Sequence, residues 1–350
     1  MDRSRAQITF NELRVFQLDP NLTAILPGTC QAKCPFCVEP YSKQQATADE
    51  WLQSFRTLLC QELPEVFRTL TVSGGEPTLS PAFEEVLRIL IPLRSSGRLL
   101  RTVLTTNGTR EGLSSRLDLI GEAFTHVNIS RHAVRDEVNR AVFKSDQVPS
   151  TQELAGLISK LNRRGIPVNL NCVYSLKHAF GKKIKADDGF SLRTAAKDFI
   201  SFAKAVGASS VVFRLDHREP SFERATFLEE AFNDYKTVHE AQCKSCHVIG
   251  KFIRGLPVNF KRSSYEPIEL HPAYELYEMV LHSDGCLWRD WSRKYMINRP
   301  LPNRIGSEDW YQLAPRGVSG ITSPVTECDG PQQTCTLLLS QTEPPYLGVT

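Results

Sequence analysis

Apolar positions along the chain follow two periods, and the two alternate. Short runs rich in β-branched and aliphatic residues recur at Leu22–Leu26, Thr69–Ser73, Leu100–Thr105, His126–Ser130, Val168–Val173 and Ser210–Arg214, each bounded by turn or polar residues. Between them lie stretches with the three- and four-residue spacing of amphipathic helices: Thr47–Leu59, Pro81–Leu93, Ser114–Phe124, Thr151–Arg164 and Leu192–Val206. Ser80 followed by Pro81 reads as an N-cap with proline at the first helical position, and Gly165 after Arg164 reads as a stop. Strand then helix, repeated, predicts an α/β domain on a parallel sheet. Right-handed crossovers can roll such units into an open, partial barrel or lay them in a doubly wound sheet, and the pattern admits both.

Beyond about Asp216 the alternation stops. A helical stretch is expected over Glu223–Ala241, then a Cys/His segment, hairpin material in Leu256–Tyr265 and Tyr277–Trp288, and a tail rich in Pro, Thr, Ser and Gln from about Pro315. The expected organisation is an N-terminal extension (1–21), the strand–helix domain (22–216), a smaller α+β extension (217–314) and a tail without a core of its own (315–350).

Composition narrows the class. A chain of 350 residues, 41% hydrophobic and 23% charged, has the makings of a folded globular protein with a real core. Its 42 basic and 39 acidic residues leave a net charge of +3, too small a field to mark a nucleic-acid or membrane-surface binder. No run approaches the ~18 apolar residues of a spanning helix. The charged N-terminus has no signal-peptide core, so a cytoplasmic location is expected. There the 10 cysteines read as metal ligands, reactive thiols or buried small hydrophobes rather than a disulfide framework.

Their spacing carries the strongest signal. Cys30, Cys34 and Cys37 lie within eight residues, Cys30-Gln31-Ala32-Lys33-Cys34-Pro35-Phe36-Cys37, in a loop just after the first strand. Thiolates are the soft ligands of iron–sulfur clusters, and three of them around a four-iron cube leave one iron open for a further ligand. A zinc knuckle is the competing reading of the same loop. After the second strand comes Ser73-Gly74-Gly75-Glu76-Pro77, whose glycines allow close backbone approach and whose Glu76 offers a carboxylate. After the third comes Thr105-Thr106-Asn107-Gly108, at the strand edge where α/β folds place ligands.

Taken in this order, the CxxxCxxC loop, the GGEP segment and the TTNG segment resemble the radical S-adenosylmethionine (SAM) superfamily over roughly Leu22 to Arg214. The resemblance implies a partial (β/α)6 TIM-like barrel, with a [4Fe–4S] cluster held by Cys30, Cys34 and Cys37 and SAM chelating the open iron. It further implies that Gly74, Gly75 and Glu76 hold the methionine amino group and that Phe36 lies against the adenine. Thr106 and Asn107 would face the ribose or methionine region, and Ser130 would contact the SAM carboxylate. On the family's chemistry, reductive cleavage of SAM gives a 5′-deoxyadenosyl radical that abstracts a substrate hydrogen, with ferredoxin or flavodoxin as low-potential electron donor.

On a barrel the C-terminal strand ends form the mouth, and here they are basic: Arg131 and His132, Lys177 and His178 leading to Lys182, Lys183 and Lys185, then Arg214 and His217. The expected substrate is a small anionic metabolite, with Arg131 and Arg214 as bidentate ligands, one of them alternatively serving SAM's carboxylate. The three histidines are acid–base candidates whose competing reading is structural.

Cys243-Lys244-Ser245-Cys246 has the spacing of half a metal site, with Cys286, or Cys328 and Cys335, to complete it. The region is loosely similar to the appended domain of the molybdenum-cofactor GTP-cyclising enzyme and of peptide-modifying relatives, which implies a possible auxiliary cluster. Arg289-Asp290-Trp291 stands where those relatives carry a cysteine. Cys60 and Cys172 read as core residues. Two alternatives to a small-molecule enzyme stand beside it. One is radical modification of a ribosomally made peptide, against which only about twenty residues precede strand one; the other is a non-catalytic iron–sulfur or zinc module.

Overall fold

The computed structural model describes residues 8–10, 13–15, 21–37, 45–59, 69–174, 178–179, 182–183, 189–216, 227–242, 246–263, 275–276, 278–289, 291, 293 and 296–298. All six expected strands form, each to within a residue at either end: β1 (Asn21–Leu26), β2 (Thr69–Gly74), β3 (Arg101–Thr106), β4 (His126–Ser130), β5 (Val168–Tyr174) and β6 (Ser210–Leu215). They hydrogen-bond in sequence order and every pair is parallel, so all six C-terminal ends share one rim.

The helices between them are α1 (Ala48–Thr57), α2 (Phe83–Ser95), α3 (Arg110–Leu113), α4 (Leu117–Ala123), α5 (Asp136–Phe143), α6 (Thr151–Asn162) and α7 (Gly189–Ala205). Capping boxes start two of them: Thr47 and Glu50 exchange side-chain and backbone bonds at α1, and Ser150 and Glu153 do so at α6. Ser80 Oγ accepts from the Ala82 N–H as the sequence suggests, but α2 proper begins only at Phe83. One face of α1 buries Trp51, Leu52 and Phe55, each contributing on the order of 2 kcal/mol through apolar area removed from water.

Strand alternation sorts the sheet into two faces. Ala24, Val72, Leu104, Val127, Leu170 and Phe213 belong to the main core with the helices. Residues one position away project from the other face, where polar side chains line up across neighbouring strands. Asn128, Asn169 and Ser210 are directly opposed in register. They form a ladder in which Ser210 Oγ donates to Asn169 Oδ1 at 2.6 Å and Asn169 Nδ2 to Asn128 Oδ1 at 3.1 Å.

After Asp216 the sequence expectation needs correction. Among its described residues, the stretch read as the helix Glu223–Ala241 forms a short helix, α8 (Phe227–Glu230), and then strand β7 (Thr237–Gln242) where helix was expected; residues 217–226 lie outside the described set. β7 pairs with β8 (Cys246–Ile253), which forms a hairpin with β9 (Leu256–Ser263), and β9 runs parallel to β6. At the opposite edge β10 (Glu278–Leu281) runs parallel to β1 and turns back into β11 (Leu287–Trp288), itself paired with β12 (Met296–Asn298). The full order is therefore β7-β8-β9-β6-β5-β4-β3-β2-β1-β10-β11-β12, an open sheet of 12 strands. Among the described residues no helix is long and apolar enough to cross a membrane.

Candidate active site

The cysteine loop leaves β1 at Leu26 and lies over the rim of β2, β3 and β4. Gly75 is where it comes closest to β2. A methyl group placed on Gly75 would stand 3.1 Å from Cys30 Cβ and 3.3 Å from the Cys30 nitrogen, so any side chain larger than hydrogen would push the loop away. Gly74 fits the same reading: its φ of +156° lies at the edge of the left-handed region, and a Cβ there would meet the Leu26 carbonyl oxygen at 3.0 Å. Farther along, the Lys33 N–H donates to the Phe143 carbonyl at 2.8 Å. Cys30 and Cys34 pack against Ala32, Phe143 and Val148.

Glu76 is buried and ties two strand ends together. Its Oε1 accepts from the Thr78 N–H (3.2 Å), the Thr78 hydroxyl (2.6 Å) and the Thr106 hydroxyl (2.6 Å), and its Oε2 accepts from the Asn107 N–H (2.7 Å). Burial pushes its pKa up, and these four bonds oppose the rise. Asn107, held this way, turns its amide to the loop: its Nδ2 lies 3.9 Å from Cys30 Sγ, and its Oδ1 accepts from Gln31 Nε2 at 3.0 Å. Sequence reasoning passed over Gln31 and Thr78, for which short polar residues beside a motif give no distinctive signal.

The three thiols sense each other. Burial, then the charges of Cys37 and Cys30, push Cys34 up to about 12, and burial is also the main cause of the rise at Cys30, with Glu76 and Cys37 adding to it. Without a cation, ionising them together is unfavourable; a polycationic iron core reverses that sign, and its binding would expel the thiol protons. Cys37 is exposed while Cys30 and Cys34 are half-buried. Among the described residues no three His, Cys, Asp or Glu side chains close on a single metal ion. As a donor set, three thiols on one short loop fit an iron–sulfur cluster.

Phe36 packs edge-on against His132, with ring centroids 4.7 Å apart, and His132 packs on Phe143 at 4.8 Å. His132 is not an acid–base group. Burial, with the Arg131 charge beside it, depresses its pKa to about 3, and its Nδ1 accepts from the Val173 N–H at 3.1 Å, which fixes a neutral ring. Arg131 also departs from expectation. It is 1% exposed, donating to the carbonyls of Ala133, Pro149 and Val134 and pairing with Asp136 at 2.6 Å. Buried and bonded through Nε, Nη1 and Nη2 to the chain after β4 and to Pro149, it is not presented to a substrate anion.

Ser130, the last residue of β4, and Arg214, the last but one of β6, are half-buried on the polar face. Cys172 is fully buried, as its place in a strand suggests. The side chain of His178 and the residues Cys60, Lys177, Lys185, His217, Cys243, Cys328 and Cys335 lie outside the described set, and Cys246 is described only as the first residue of β8. Cys286 sits in the β10–β11 turn, on the other side of the barrel strands from β8 in the sheet order.

Residues 25–177, the span holding the loop, the GGEP segment and the TTNG segment, match the family described as the radical SAM superfamily. They form a radical SAM domain. The family's cofactors are those the loop fits. A GTP 3′,8-cyclase of Caulobacter vibrioides is 28% identical over 166 residues, 45% of this chain and 44% of that protein. A probable GTP 3′,8-cyclase of Methanocella arvoryzae is 30% identical over 162 residues, 44% of this chain and 47% of that one. The chain thus spans about half the length of these relatives. Streptococcus suis SuiB, in its crystal structure bound to precursor peptide SuiA, superposes over 86% of this chain and 66% of that chain, with a TM-score of 0.55 at 14% identity. That likeness is one of fold, and it makes the parallel sheet of the radical SAM domain a partial TIM-like barrel.

Proposed function

We propose that the chain is a radical SAM enzyme that acts on a small anionic metabolite. The observation that carries the reading is the linkage Cys30–Asn107–Glu76–Thr106, which joins the three motifs into one hydrogen-bonded unit over the rim. Cys30, Cys34 and Cys37 would hold the [4Fe–4S] cluster. When bound with SAM, the cluster would supply the electron that splits the sulfonium into methionine and a 5′-deoxyadenosyl radical able to take a hydrogen atom from substrate.

The chain's own residues position and shield. Glu76 fixes the ends of β2 and β3 as one body, so backbone groups of Gly74 and Gly75 keep a constant place beside the loop. Their role, with Glu76, would be to receive the methionine amino group, while Thr106, Asn107 and Ser130 would face the rest of SAM. Phe36, backed by His132, would give the adenine an apolar wall. Ala32, Phe143 and Val148 keep water from the inner side of the thiols. A ferredoxin- or flavodoxin-type donor would reach the exposed Cys37 side.

The likeness to GTP 3′,8-cyclases favours a small substrate bearing phosphate. A second reading, modification of a peptide, draws on the fold shared with SuiB, whose structure holds its precursor peptide. An auxiliary cluster at Cys243, Cys246 and Cys286 is a separate proposal within either reading. The test is iron, sulfide and zinc content of anaerobically reconstituted protein and of the Cys30/Cys34/Cys37→Ala variant, with an assay for 5′-deoxyadenosine after dithionite reduction in the presence of SAM. Four irons lost in the variant, with deoxyadenosine from wild type alone, is the expected result. About eight irons falling to four would add the auxiliary cluster. Zinc without iron, or a cluster that never yields deoxyadenosine, would replace the enzyme reading with a binding module.

A further inference from the structure

Three neighbouring positions on the polar face of the sheet, Asn171, Asn259 and His239, break the rule that buried polar atoms find partners. Asn171 on β5 is 7% exposed and Asn259 on β9 is 3% exposed, and the Oδ1 atom of each is buried with no hydrogen-bond partner among the described residues. Both belong to one cross-strand row. Ser130 is opposite Asn171, Asn171 opposite Val212, and Val212 opposite Asn259. Strand alternation places the row on the inner face, since Leu170, Cys172, Val258 and Phe260 on either side of the two asparagines belong to the main core. His239 backs Asn259 from β7. Its ring covers Gly250, where a Cβ would fall 2.0 Å from the ring, and lies in hydrogen-bonding reach of the Asn259 side chain, with its own Nε2 buried and likewise without a partner among the described residues.

One rung nearer the rim, about 7 Å along the strands, Arg214 on β6 is directly opposed to Lys261 on β9. Both are half-buried, and neither forms an ion pair among the described residues. Like charges directly opposed on neighbouring strands repel. Arg262, the next residue on β9 and on its opposite face, is by contrast paired with Glu229. Two open cations above two open acceptors make a face that water-free folding alone would disfavour and that a ligand of opposite character would complete.

We propose that Arg214 and Lys261 bind a phosphate group of the substrate, and that Asn171 and Asn259 accept hydrogen bonds from N–H or O–H groups of the same molecule one rung deeper. This rests on the radical SAM reading for its location at the mouth and goes beyond it in naming the chemistry. It also assigns Arg214 to the substrate and not to SAM. The cysteine loop covers the ends of β2 to β4, so β5, β6 and β9 form the opposite wall. β6 and β9 both lie outside the matched residues 25–177.

The experiment is calorimetric titration of the cluster-reconstituted full chain with inorganic phosphate, acetate, ribose 5-phosphate and glucosamine 6-phosphate. It compares wild type with Arg214→Gln, Arg214→Lys, Lys261→Gln, Asn171→Leu and Asn259→Leu. Phosphate should bind saturably and at least tenfold more tightly than acetate. Arg214→Gln and Lys261→Gln should each weaken it tenfold or more, and Arg214→Lys should restore most of the loss. At least one sugar phosphate should bind tenfold more tightly than inorganic phosphate. Each Asn→Leu change should erase that margin while raising the melting temperature, because it removes a buried carbonyl oxygen that has no hydrogen-bond partner among the described residues. Phosphate affinity unmoved by both charge removals would overturn the proposal, as would Arg214→Gln losing SAM affinity with phosphate binding intact. Asparagine variants that keep the sugar-phosphate margin, or a wild type that shows none, would overturn the acceptor half. Failure of the underlying reading is seen separately, as wild type that yields no deoxyadenosine whatever phosphate does.

Discussion

The Thr106 hydroxyl donates to the Glu76 carboxylate at 2.6 Å, and this one bond joins the segments that follow two neighbouring strands. Glu76 is therefore a bracket as well as a candidate SAM ligand. In Glu76→Gln the amide oxygen can keep the Thr78 and Thr106 donors, but the new NH2 then faces the Asn107 N–H, donor against donor. The expected cost is about 1–3 kcal/mol in urea unfolding. Asn107 loosens with it, so reconstituted iron per chain should fall in the same variant. An iron content equal to wild type would show that the bracket does not hold the loop.

Arg131 makes a contrasting prediction. Its guanidinium is a structural peg among three carbonyls and Asp136, so Arg131→Gln should cost about 3 kcal/mol or more by stranding those acceptors in the interior. Urea midpoints at neutral pH measure it. A variant as stable as wild type would return Arg131 to the list of possible substrate ligands.

The sequence made the six barrel strands legible because each is a short β-type run framed by turns, and the cluster loop legible because three thiols at that spacing have few other uses. Arg131 was misread for a physical reason: three of its partners are backbone carbonyls, which leave no trace in side-chain pattern. β7 was misread as helix because its partner β8 is what makes it a strand. Gly250 opens the space for His239, and such non-local pairing overrides local propensity. Asn171 and Asn259 could have been found, since each is a polar residue flanked by core positions in a strand that should be apolar.

Gly75→Ala should separate cluster binding from folding. The added methyl meets Cys30 at 3.1 Å, and the loop, being at the surface, can yield where the sheet cannot. Iron and sulfide per chain should drop by half or more while the unfolding free energy changes by only about 1 kcal/mol. Full iron loading would show that the loop tolerates the shift.

His132 predicts an acid weakness. Its folded pKa of about 3 lies below its ordinary 6.5, so between those values the unfolded chain binds a proton that the folded chain refuses, and stability rises with pH. The contribution is complete above pH 6.5 and is lost as pH falls, at about 1.4 kcal/mol per unit, or about 2 kcal/mol by pH 5. His126, depressed to about 4 by burial and then by Arg101 and Arg94, acts in the same direction. His132→Asn keeps an acceptor for the Val173 N–H and does not titrate. The difference in urea stability between pH 7 and pH 5 should shrink by about 2 kcal/mol in that variant; an unchanged difference would place the acid sensitivity elsewhere.

Trp51 is predicted to hold the late turn on the barrel. Its Nε1–H donates to the His282 carbonyl at 2.9 Å, and nearby the Ala46 N–H donates to the Ser283 carbonyl at 2.9 Å. Gly285 lies close to Ser54, its Cβ position 3.2 Å from the hydroxyl. β10 belongs to the same sheet through β1, so the turn is held on two sides, by strand pairing and by α1. Trp51→Phe retains most of the buried ring, including the place stacked on Phe55 at 5.0 Å, but leaves the His282 carbonyl without its donor. The expected global cost is only about 1–2 kcal/mol. The local effect should be larger: backbone hydrogen exchange over residues 278–289 should accelerate at least tenfold while β4 to β6 change only as global stability does. Cys286 lies in this turn, with its N–H donating to Asp284 at 2.9 Å, so its alkylation rate should rise with the exchange rate. Faster exchange spread evenly over the sheet would instead make Trp51 an ordinary core residue, and the turn would owe its position to β10 alone.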